Sequence, residues 1–449
     1  GPHNAVVALA AVNGADGVKQ ILEIFGCLDV LASLKGLNDV GQFETRDKRV
    51  KVIMHQRMAG AGQADAERLA THPTTRAYFL PDGAPLSEGQ LLKNPDYAES
   101  LRALSDGPAS FYAGDIARDI VAAVQGADNP GMLDFIDFAV YRVVERDAVC
   151  VPFRGHEVCG MGPPSSGALT VGQILGLLEG FDLAGLGPQS AEAWRLIGDA
   201  SRLAFADRGR YMADSDFVPV PVKGLVDPAY LAERAQVLSG DVALPEVAPG
   251  EPEFDHALNW ADDISLEFPS TSHISIVDGY GNALSMTTTI ENGFGSRVMV
   301  RGFLLNNELT DFSFRSHEGG VPIANRVEPG KRPRSSMSPT IVLKDGTPVL
   351  VVGSPGGSRI IGYVAKTIIA HLDWGMNPQE AVDLGHLVNR FGVYDVEAGT
   401  SAIDLMPALM EMGFEVNRRD LNSGLHAISI GDVLLGGADR RREGIALGE

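Results

Sequence analysis

Two short segments of the 449-residue chain contain residue types that could perform acyl transfer, and the first surrounds Thr271. This threonine stands in the run PSTSH (residues 269–273), where an irregular polar segment gives way to a strand pattern. If the chain is cut before Thr271, its hydroxyl gains a neighbouring α-amino group, whose pKa of about 8 suits it to act as the activating base. A Ser/Thr cluster that hydrogen-bonds its own turn is the more common arrangement for five such residues alone.

The second segment joins a predicted strand to a predicted helix through Gly356 and Gly357, within the run GSPGGS (residues 353–358). Glycines at such a junction leave backbone N–H groups open at a helix N-terminus, where they can bind a developing oxyanion. A tight turn that needs a positive φ is the alternative interpretation. A serine pair, Ser335 and Ser336, precedes this segment in the run SSMSP (residues 335–339).

The sequence lacks the motifs that would indicate metal, phosphate or dinucleotide binding. There is no HExxH, no pair of CxxC motifs and no phosphate-binding loop, and the ten histidines are scattered without metal-ligand spacing. The Gly-rich loop at 160–167 has two prolines at its centre, which does not fit the dinucleotide-binding fingerprint. We therefore expect neither a metal nor a cofactor.

The composition is that of an ordinary globular protein with a formal net charge of −21. Such acidity argues against a nucleic-acid partner, which needs a basic face to neutralise phosphates. No apolar run reaches the roughly 18 residues of a membrane span, so no membrane insertion is expected. The length suits two or three domains or one large layered domain.

Three cysteines, Cys27, Cys150 and Cys159, exclude a disulfide scaffold. A bridge between Cys150 and Cys159 is one reading, but small buried hydrophobic side chains are the favoured one. The first three residues, GPH, are typical of a protease-cleavage scar. The compartment is accordingly left open between periplasmic or secreted, if a signal peptide was removed, and cytoplasmic.

Hairpin and helix signals alternate in the second half of the chain. Turn sequences separate pairs of apolar, β-branched runs, which predicts hairpins at 273–289, 340–352 and 427–435. Ser190 is a candidate N-cap for a long helix to Tyr211, and 358–372 reads as a second helix. The run NPQE (residues 377–380) has the cap, proline and acidic residue of a helix start. Paired strands with packed helices favour a layered sandwich over a doubly wound sheet.

Several of these motifs together, in their order and spacing, resemble the γ-glutamyltransferase family of N-terminal-nucleophile hydrolases. The resemblance runs from about residue 64 to the end, and its motifs are PPSSG (163–167), LAFADR (203–208), TSH (271–273), GNA (281–283), LLNNE (304–308), DFS (311–313), SSMSP (335–339) and GSPGGSR (353–359).

The resemblance implies a four-layer αββα sandwich, made as a precursor that cuts itself between Ser270 and Thr271. Residues 64–270 would then belong to a large subunit and 271–449 to a small one, both parts of one shared domain, with 1–63 as an atypical N-terminal segment. A small γ-glutamyl substrate such as glutathione would be the partner molecule. The resemblance leaves open whether the two subunits pair further into a dimer.

The resemblance also implies a role for each matching residue. Thr271 would be the nucleophile, Thr289 would orient it, and Gly356 with Gly357 would bind the oxyanion. The α-amino and α-carboxylate groups of the substrate would be held by four residues: Glu308, Asp311, Ser335 and Ser336.

Three departures from the family pattern are visible. Glu291 stands where many members have asparagine, which adds a negative charge beside the expected ammonium site. The stretch between Asp311 and Ser335 is shorter than in many members, which implies a more open pocket. Residues 1–63 lack the Arg-Glu-x-Ala-Pro context that supplies an arginine for the substrate α-carboxylate, and Arg46 does not match it.

Two further hypotheses compete with a γ-glutamyl hydrolase and transferase. A glutaryl or cephalosporin-type acylase of the same family would act on a side chain that lacks the α-ammonium group, which the retained Glu308 and Asp311 disfavour and the absent arginine context favours. The other is an inactive, unprocessed relative that serves as a scaffold. The intact set of Thr271, Thr289 and the two glycines argues against it.

Overall fold

The structure is a computed structural model of the chain, and it describes residues 7–12, 52–53, 56–256, 259–263, 265, 270–442 and 444–448. Cys27, Arg46 and most of the atypical segment 1–63 lie outside these residues.

The strands of the described residues occur in groups that are separated by groups of helices. In chain order they are β1 (Val7–Val12), β2 (Val52–Ile53), β3 (Leu91–Leu92), β4 (Ala148–Phe153), β5 (His156–Met161), β6 (Thr271–Val277), β7 (Ala283–Thr289), β8 (Met299–Val300), β9 (Phe303–Leu304), β10 (His317–Glu318), β11 (Val321–Pro322), β12 (Thr340–Lys344), β13 (Thr347–Gly353), β14 (Leu387–Asn389), β15 (Val393–Glu397), β16 (Glu415–Arg419), β17 (His426–Ile430) and β18 (Leu434–Ala438).

The α-helices are numbered in the same way. They are α1 (Gln56–Ala64), α2 (Ala66–Leu69), α3 (Pro73–Phe79), α4 (Pro95–Ser105), α5 (Ala109–Tyr112), α6 (Asp115–Gln125), α7 (Phe135–Val140), α8 (Gly167–Leu178), α9 (Leu183–Leu186), α10 (Ala191–Tyr211), α11 (Val222–Leu225), α12 (Pro228–Ala235), α13 (Ile360–Leu372), α14 (Pro378–Asp383) and α15 (Met406–Glu411). Short 3-10 turns occur at 81–83, 236–239, 308–311, 357–359 and 401–405.

The chain forms two compact units. Among the described residues, the first comprises 7–12, 146–289 and 308–448, and the second comprises 52–145 and 290–307. The first unit contains residues on both sides of the predicted cut. That cut within one shared domain stays a prediction.

Two sheets face each other in the first unit. The larger has the strand order β18-β17-β13-β12-β5-β4 and is antiparallel throughout. The smaller has the order β1-β7-β6, with β1 parallel to β7 and β7 antiparallel to β6. Strands β6 and β7 pack on β13, and β6 also packs on β17. These contacts form the central pair of layers of a sandwich.

A helical layer covers the outer face of the larger sheet. Helices α8, α10 and α13 are buried along most of their length and share one apolar cluster with the sheet, which includes Trp194, Ile368 and Val352. Helices α8 and α13 are apolar on nearly every side, whereas α10 also buries charged side chains such as Asp199 and Arg208. Helices α10 and α13 also contact the small sheet β14-β15-β16.

The predicted helix starts and hairpins are confirmed. The Ser190 side chain caps α10 by accepting a hydrogen bond from the Ala193 N–H at 3.3 Å. Asn377 and Glu380 form a capping box at the start of α14. The three hairpins pair as β6 with β7, β12 with β13, and β17 with β18.

The favoured reading of the cysteines is wrong. Cys150 and Cys159 lie directly opposite each other on β4 and β5, with their Cα atoms 4.0 Å apart, and their sulfur atoms form a disulfide. The pattern of either strand alone does not show which residues face each other, because register is set by the pairing of the two strands.

The second unit is mainly helical. Leu69, Phe79 and Phe294 belong to one of its apolar clusters, and Ile116 with Val300 to another. Residues 290–307 therefore pack with helices that are distant in sequence. No helix of the described residues is long and apolar enough to span a bilayer.

Candidate active site

Thr271 and Thr289 face each other at one end of the smaller sheet. Thr271 opens β6, Thr289 closes β7, and antiparallel pairing places the two residues opposite each other. The Thr271 hydroxyl donates to Thr289 Oγ1 at 3.4 Å, and the Thr289 hydroxyl donates to the Ser270 carbonyl oxygen at 2.5 Å. The three residues predicted from sequence as nucleophile, orienting group and cut site thus form one hydrogen-bonded line.

A buried histidine, His273, fixes the strand that begins at Thr271. The two ring nitrogens of His273 lie 2.8 Å from Thr287 Oγ1 and 3.0 Å from Ser275 Oγ. Burial, with a smaller contribution from His426, lowers the pKa of His273 to about 3, so the ring is neutral near pH 7. A side chain at Gly353 would collide with this ring, because a Cβ there would lie 2.1 Å from it. The imidazole therefore packs directly against the end of β13.

The chain leaves β13 through the two glycines predicted to bind an oxyanion. Gly356 has φ = 142° and Gly357 has φ = 61°, both in the region that favours glycine. A Cβ on Gly356 would lie 2.7 Å from the ring of Tyr363. A 3-10 turn then leads into α13. The predicted glycine junction between strand and helix is confirmed, and its oxyanion role stays a prediction.

The serine pair lies on an irregular segment held by residues from elsewhere in the chain. Ser166 donates its backbone N–H and its hydroxyl to the Ser335 carbonyl, at 2.8 and 2.7 Å. Arg208, which is 2% exposed, donates from Nε to Ser166 Oγ at 2.8 Å and from Nη2 to Ser336 Oγ at 2.7 Å. Arg208 ends the LAFADR motif (203–208), but the sequence alone predicted no role for it. Its signal was an arginine in the last turn of an otherwise buried helix.

The acidic pair lies on the 3-10 turn 308–311. Asp311 is buried, and its backbone carbonyl accepts a hydrogen bond from Asn325 Nδ2 at 2.8 Å. Asn325 Oδ1 in turn accepts the backbone N–H of Arg334 at 2.9 Å. One buried amide therefore connects the Asp311 turn to the residue that precedes Ser335. Asn325 is a second residue that sequence reasoning missed.

Glu291 belongs to the second compact unit. It is buried, has φ = 70°, and accepts a hydrogen bond from the Asn307 side chain. Asn307 Oδ1 also accepts the backbone N–H of Asn292 at 3.0 Å. The carboxylate is therefore held by a local amide partner.

The C-terminal segment reaches Thr271. Arg442 donates from Nη1 to the Thr271 carbonyl oxygen at 3.1 Å and from Nε to the Asn422 carbonyl at 3.0 Å.

Among the described residues, no group of three or more His, Cys, Asp or Glu side chains could hold a metal ion. The groups gathered around Thr271 and in the neighbouring segments are hydroxyls, backbone N–H groups and carboxylates. These groups suit acyl transfer.

Sequence comparison identifies relatives of this chain. A sequence model of the family described as Gamma-glutamyltranspeptidase matches residues 51–449. The chain is 37% identical over 393 residues to the "Glutathione hydrolase proenzyme" of Escherichia coli (strain K12), which covers 84% of this chain. It is 34% identical over 387 residues to the "Acylase ACY 1 proenzyme" of Pseudomonas sp. (strain SE83), which covers 85% of this chain. The alignment spans 65% of the length of each relative.

Comparison with solved structures supports the predicted fold. The structure matches the cephalosporin acylase of Bacillus halodurans with a TM-score of 0.77 and 24% identity, covering 88% of this chain and 71% of that one. The predicted sandwich fold of the N-terminal-nucleophile type is thereby confirmed.

Proposed function

Because the chain belongs to the gamma-glutamyltranspeptidase family, we propose that it is a self-processing γ-glutamyl hydrolase and transferase with Thr271 as its nucleophile. The observation that carries the proposal is the hydrogen-bonded line from Thr271 through Thr289 to the Ser270 carbonyl. The line joins a nucleophilic hydroxyl, a second hydroxyl and the carbonyl of the bond to be cut. The names of the two relatives, both called proenzymes, fit a precursor that is cleaved into two subunits.

In the uncut chain, the Thr271 hydroxyl attacks the carbonyl carbon of Ser270. Thr289 supports this step because its hydroxyl donates to the carbonyl oxygen on which negative charge develops. The acyl group moves from the Thr271 nitrogen to its oxygen, and water then hydrolyses the resulting ester. The products are a carboxylate at Ser270 and a free amine at Thr271, in pieces of 270 and 179 residues.

In the processed protein, the new amine accepts the proton of the Thr271 hydroxyl as it attacks a γ-glutamyl carbonyl. The N–H groups of Gly356 and Gly357 are the proposed donors to the oxyanion, and their position at the start of α13 favours negative charge. The amine leaving group departs with a proton and an acyl-enzyme remains. Water releases glutamate from it, while an amino acid or peptide amine accepts the glutamyl group instead.

The remaining site residues are proposed to hold the two charged ends of the glutamyl group. Carboxylates at Glu308 and Asp311 suit its ammonium, and hydroxyls at Ser335 and Ser336 suit its carboxylate. Glu291 is proposed as a further acidic group that influences binding of the amine. A glutathione-like peptide is the proposed substrate class.

The proposed cut is tested by incubating the purified chain and measuring intact masses. We expect two pieces that together replace the 47.7 kDa chain, with the boundary between Ser270 and Thr271. Thr271→Ala should remain one chain and lose turnover by a factor of about 10⁴ or more, because it lacks the attacking oxygen. Wild-type protein that stays whole after long incubation would favour the scaffold hypothesis.

An acylase that removes a glutaryl-type side chain is the second candidate, and the similarity to the Pseudomonas acylase favours it. A glutaryl group lacks the ammonium that Glu308 and Asp311 are proposed to bind. The two functions are separated by comparing γ-glutamyl and glutaryl p-nitroanilides as substrates. If kcat/KM is higher for the glutaryl compound, the protein is an acylase and the γ-glutamyl proposal is wrong.

A further inference from the structure

We propose that a buried cluster formed by Asp263, Asn325 and Arg334 is a positioning device that sets the spacing between the Asp311 turn and the Ser335–Ser336 segment. The inference rests on the proposed function, since those two segments are the ones proposed to hold opposite ends of the same substrate. It assigns a role in substrate recognition to three residues that touch neither the reacting atoms nor the nucleophile.

The centre of the cluster is an ion pair that is almost completely excluded from water. Arg334 Nη2 lies 3.1 Å from Asp263 Oδ2, and both side chains are 1% exposed. Asp263 Oδ1 also accepts the Ser265 backbone N–H at 3.0 Å. Burial opposes ionisation of Asp263, but the Arg334 charge and the hydrogen bonds from Ser265 and Asn325 together hold its pKa below the usual value. The pair is therefore ionised at neutral pH.

Asn325 connects this ion pair to both recognition segments. Its Nδ2 group donates to the Asp311 carbonyl at 2.8 Å and to Asp263 Oδ2 at 3.4 Å. Its Oδ1 atom accepts the Arg334 backbone N–H at 2.9 Å, one residue before Ser335. The side-chain amide is 1% exposed and thus links the main chains of both segments without contact with solvent.

Asp263 is anchored to the rest of the unit by the end of helix α10. Its backbone N–H donates to the Gly209 carbonyl at 3.0 Å, and Arg334 Nη1 lies 3.4 Å from the Arg208 carbonyl. Arg208 is the residue whose guanidinium contacts Ser336. The cluster and the serine segment therefore share one rigid support, which is a buried helix.

The cluster also joins the two sides of the proposed cut. Asp263 precedes Thr271 in sequence, while Asn325 and Arg334 follow it. After cleavage, the larger piece would still supply the carboxylate that the smaller piece needs to keep its recognition segments in register. A buried arginine that loses its carboxylate partner is left with an uncompensated charge, so the local geometry would relax.

A loosened spacing should weaken binding of a ligand that contacts both segments and leave the nucleophile unaffected. We expect Asp263→Asn and Arg334→Met each to raise KM for γ-glutamyl p-nitroanilide by about tenfold while kcat changes by less than about twofold. For glutaryl p-nitroanilide, which lacks the ammonium, the rise in KM should be smaller. Because the two residues act as one pair, the double variant should resemble the single variants, with effects that do not multiply.

A second buried ion pair, formed within helix α10 itself, provides the control. Arg202 Nη1 lies 2.8 Å from Asp199 Oδ1, and Asp199 also accepts the Leu244 backbone N–H. Asp199→Asn removes a comparable buried charge and should leave KM within about twofold of wild type. Arg334→Lys, which keeps the charge, should recover part of the lost affinity. Intact mass and thermal unfolding of every variant identify those that fail to fold or cut.

Single variants with the same KM as Asp199→Asn, or a fall in kcat at constant KM, would overturn the positioning role. Calorimetric titration with L-glutamate and with glutarate gives a readout that does not require turnover. We expect the variants to bind L-glutamate about tenfold more weakly and to change little toward glutarate. An equal loss for both ligands would overturn the inference. Wild-type protein that binds L-glutamate but neither cuts nor turns over would refute the proposed function alone.

Discussion

The proposed nucleophile and the proposed recognition segments are positioned in different ways. Thr271 and Thr289 are brought together by one hairpin of adjacent strands, whose backbone ladder sets them opposite each other. Ser335 and Ser336 lie on an irregular segment whose position depends on Ser166 and Arg208, which are more than 120 residues away in sequence. Local pairing therefore sets the geometry of the proposed chemistry, whereas distant buried side chains set the geometry of the proposed recognition.

This difference predicts two kinds of response to substitution. A strand ladder keeps its register when one hydroxyl is removed, so a change at the hairpin should alter a chemical step with little effect on binding. A segment held by buried polar side chains loses its position when one of them is removed, because those partners are not replaced by water. Changes there should alter binding first.

After Thr271→Ala, the largest expected effect is that of Thr289→Ala on the hairpin. The variant loses the hydroxyl that donates to the Ser270 carbonyl, and self-cleavage should slow by about 10²-fold while the fold is retained. The rate is measured by following the masses of the two pieces over time. Thr289→Ser keeps the hydroxyl and should cut at a rate close to that of wild type. Equal rates for the alanine and serine variants would remove Thr289 from the cleavage step.

Next in size is the effect of Gly356→Ala at the glycine junction. The added Cβ would lie 2.7 Å from the Tyr363 ring in a conformation with φ = 142°, so the turn must shift. We expect kcat for γ-glutamyl p-nitroanilide to fall about 30-fold, with KM nearly unchanged, because oxyanion binding acts mainly on the transition state. Gly375→Ala is the matched control, since that glycine also has a positive φ but has open space around its Cβ position. A similar loss of kcat in both variants would point to general strain.

A smaller effect, and one on binding, is expected for Arg208→Met. This change removes the donors to Ser166 and Ser336 and should raise KM by about tenfold, with kcat within about threefold of wild type. Arg210→Met removes a neighbouring arginine on the same helix that pairs with the half-exposed Asp262, and should leave KM unchanged. A fall in kcat with constant KM in the Arg208 variant would contradict the division between chemistry and recognition.

The smallest effect on turnover, but a clear one on stability, is expected from His273. Its pKa is about 3 in the folded chain and about 6.5 when unfolded, so between these values the unfolded chain binds an extra proton. Stability from the neutral ring is complete above pH 6.5 and is lost as the pH falls. From pH 7 to pH 5 this should cost about 2 kcal/mol.

Urea unfolding at pH 7 and pH 5 measures this loss. His273→Gln should show a weaker pH dependence than wild type, by about the same 2 kcal/mol, whereas His317→Gln, at an exposed position, should match wild type. If all three proteins have the same pH dependence, His273 does not remain neutral on folding. The result would also sharpen the comparison between the hairpin and the recognition segments. His273 is the buried side chain that contacts Thr287 across the hairpin.

Much of the hairpin could be predicted because its signals are local. Alternating apolar residues around the Asp278–Asn282 turn indicated two strands, and the structure pairs them as β6 and β7. Ser190 and Asn377 likewise marked helix starts that the structure confirms, because a cap interacts with residues within one turn of itself. The glycine junction was found for the same reason.

The cysteines and the segment 241–255 show where local signals fail. The segment is rich in proline and glutamate and has no regular secondary structure, yet α10 binds it: Asp199 accepts the Leu244 N–H and Asp207 accepts the Gly250 N–H. Buried carboxylates on a helix cannot be distinguished in sequence from exposed ones. The disulfide was missed because it depends on the register between two strands.

The sequence by itself determined the β6–β7 hairpin, the glycine junction and the family, because each is encoded in residues close together or in motifs of fixed order. Only the tertiary structure decided which distant side chains hold the recognition segments. Arg208, Asp263, Asn325 and Arg334 are polar residues without a periodic pattern, and their partners lie far away in the chain. Their significance comes from burial, since a polar group removed from water must find its partner within the fold.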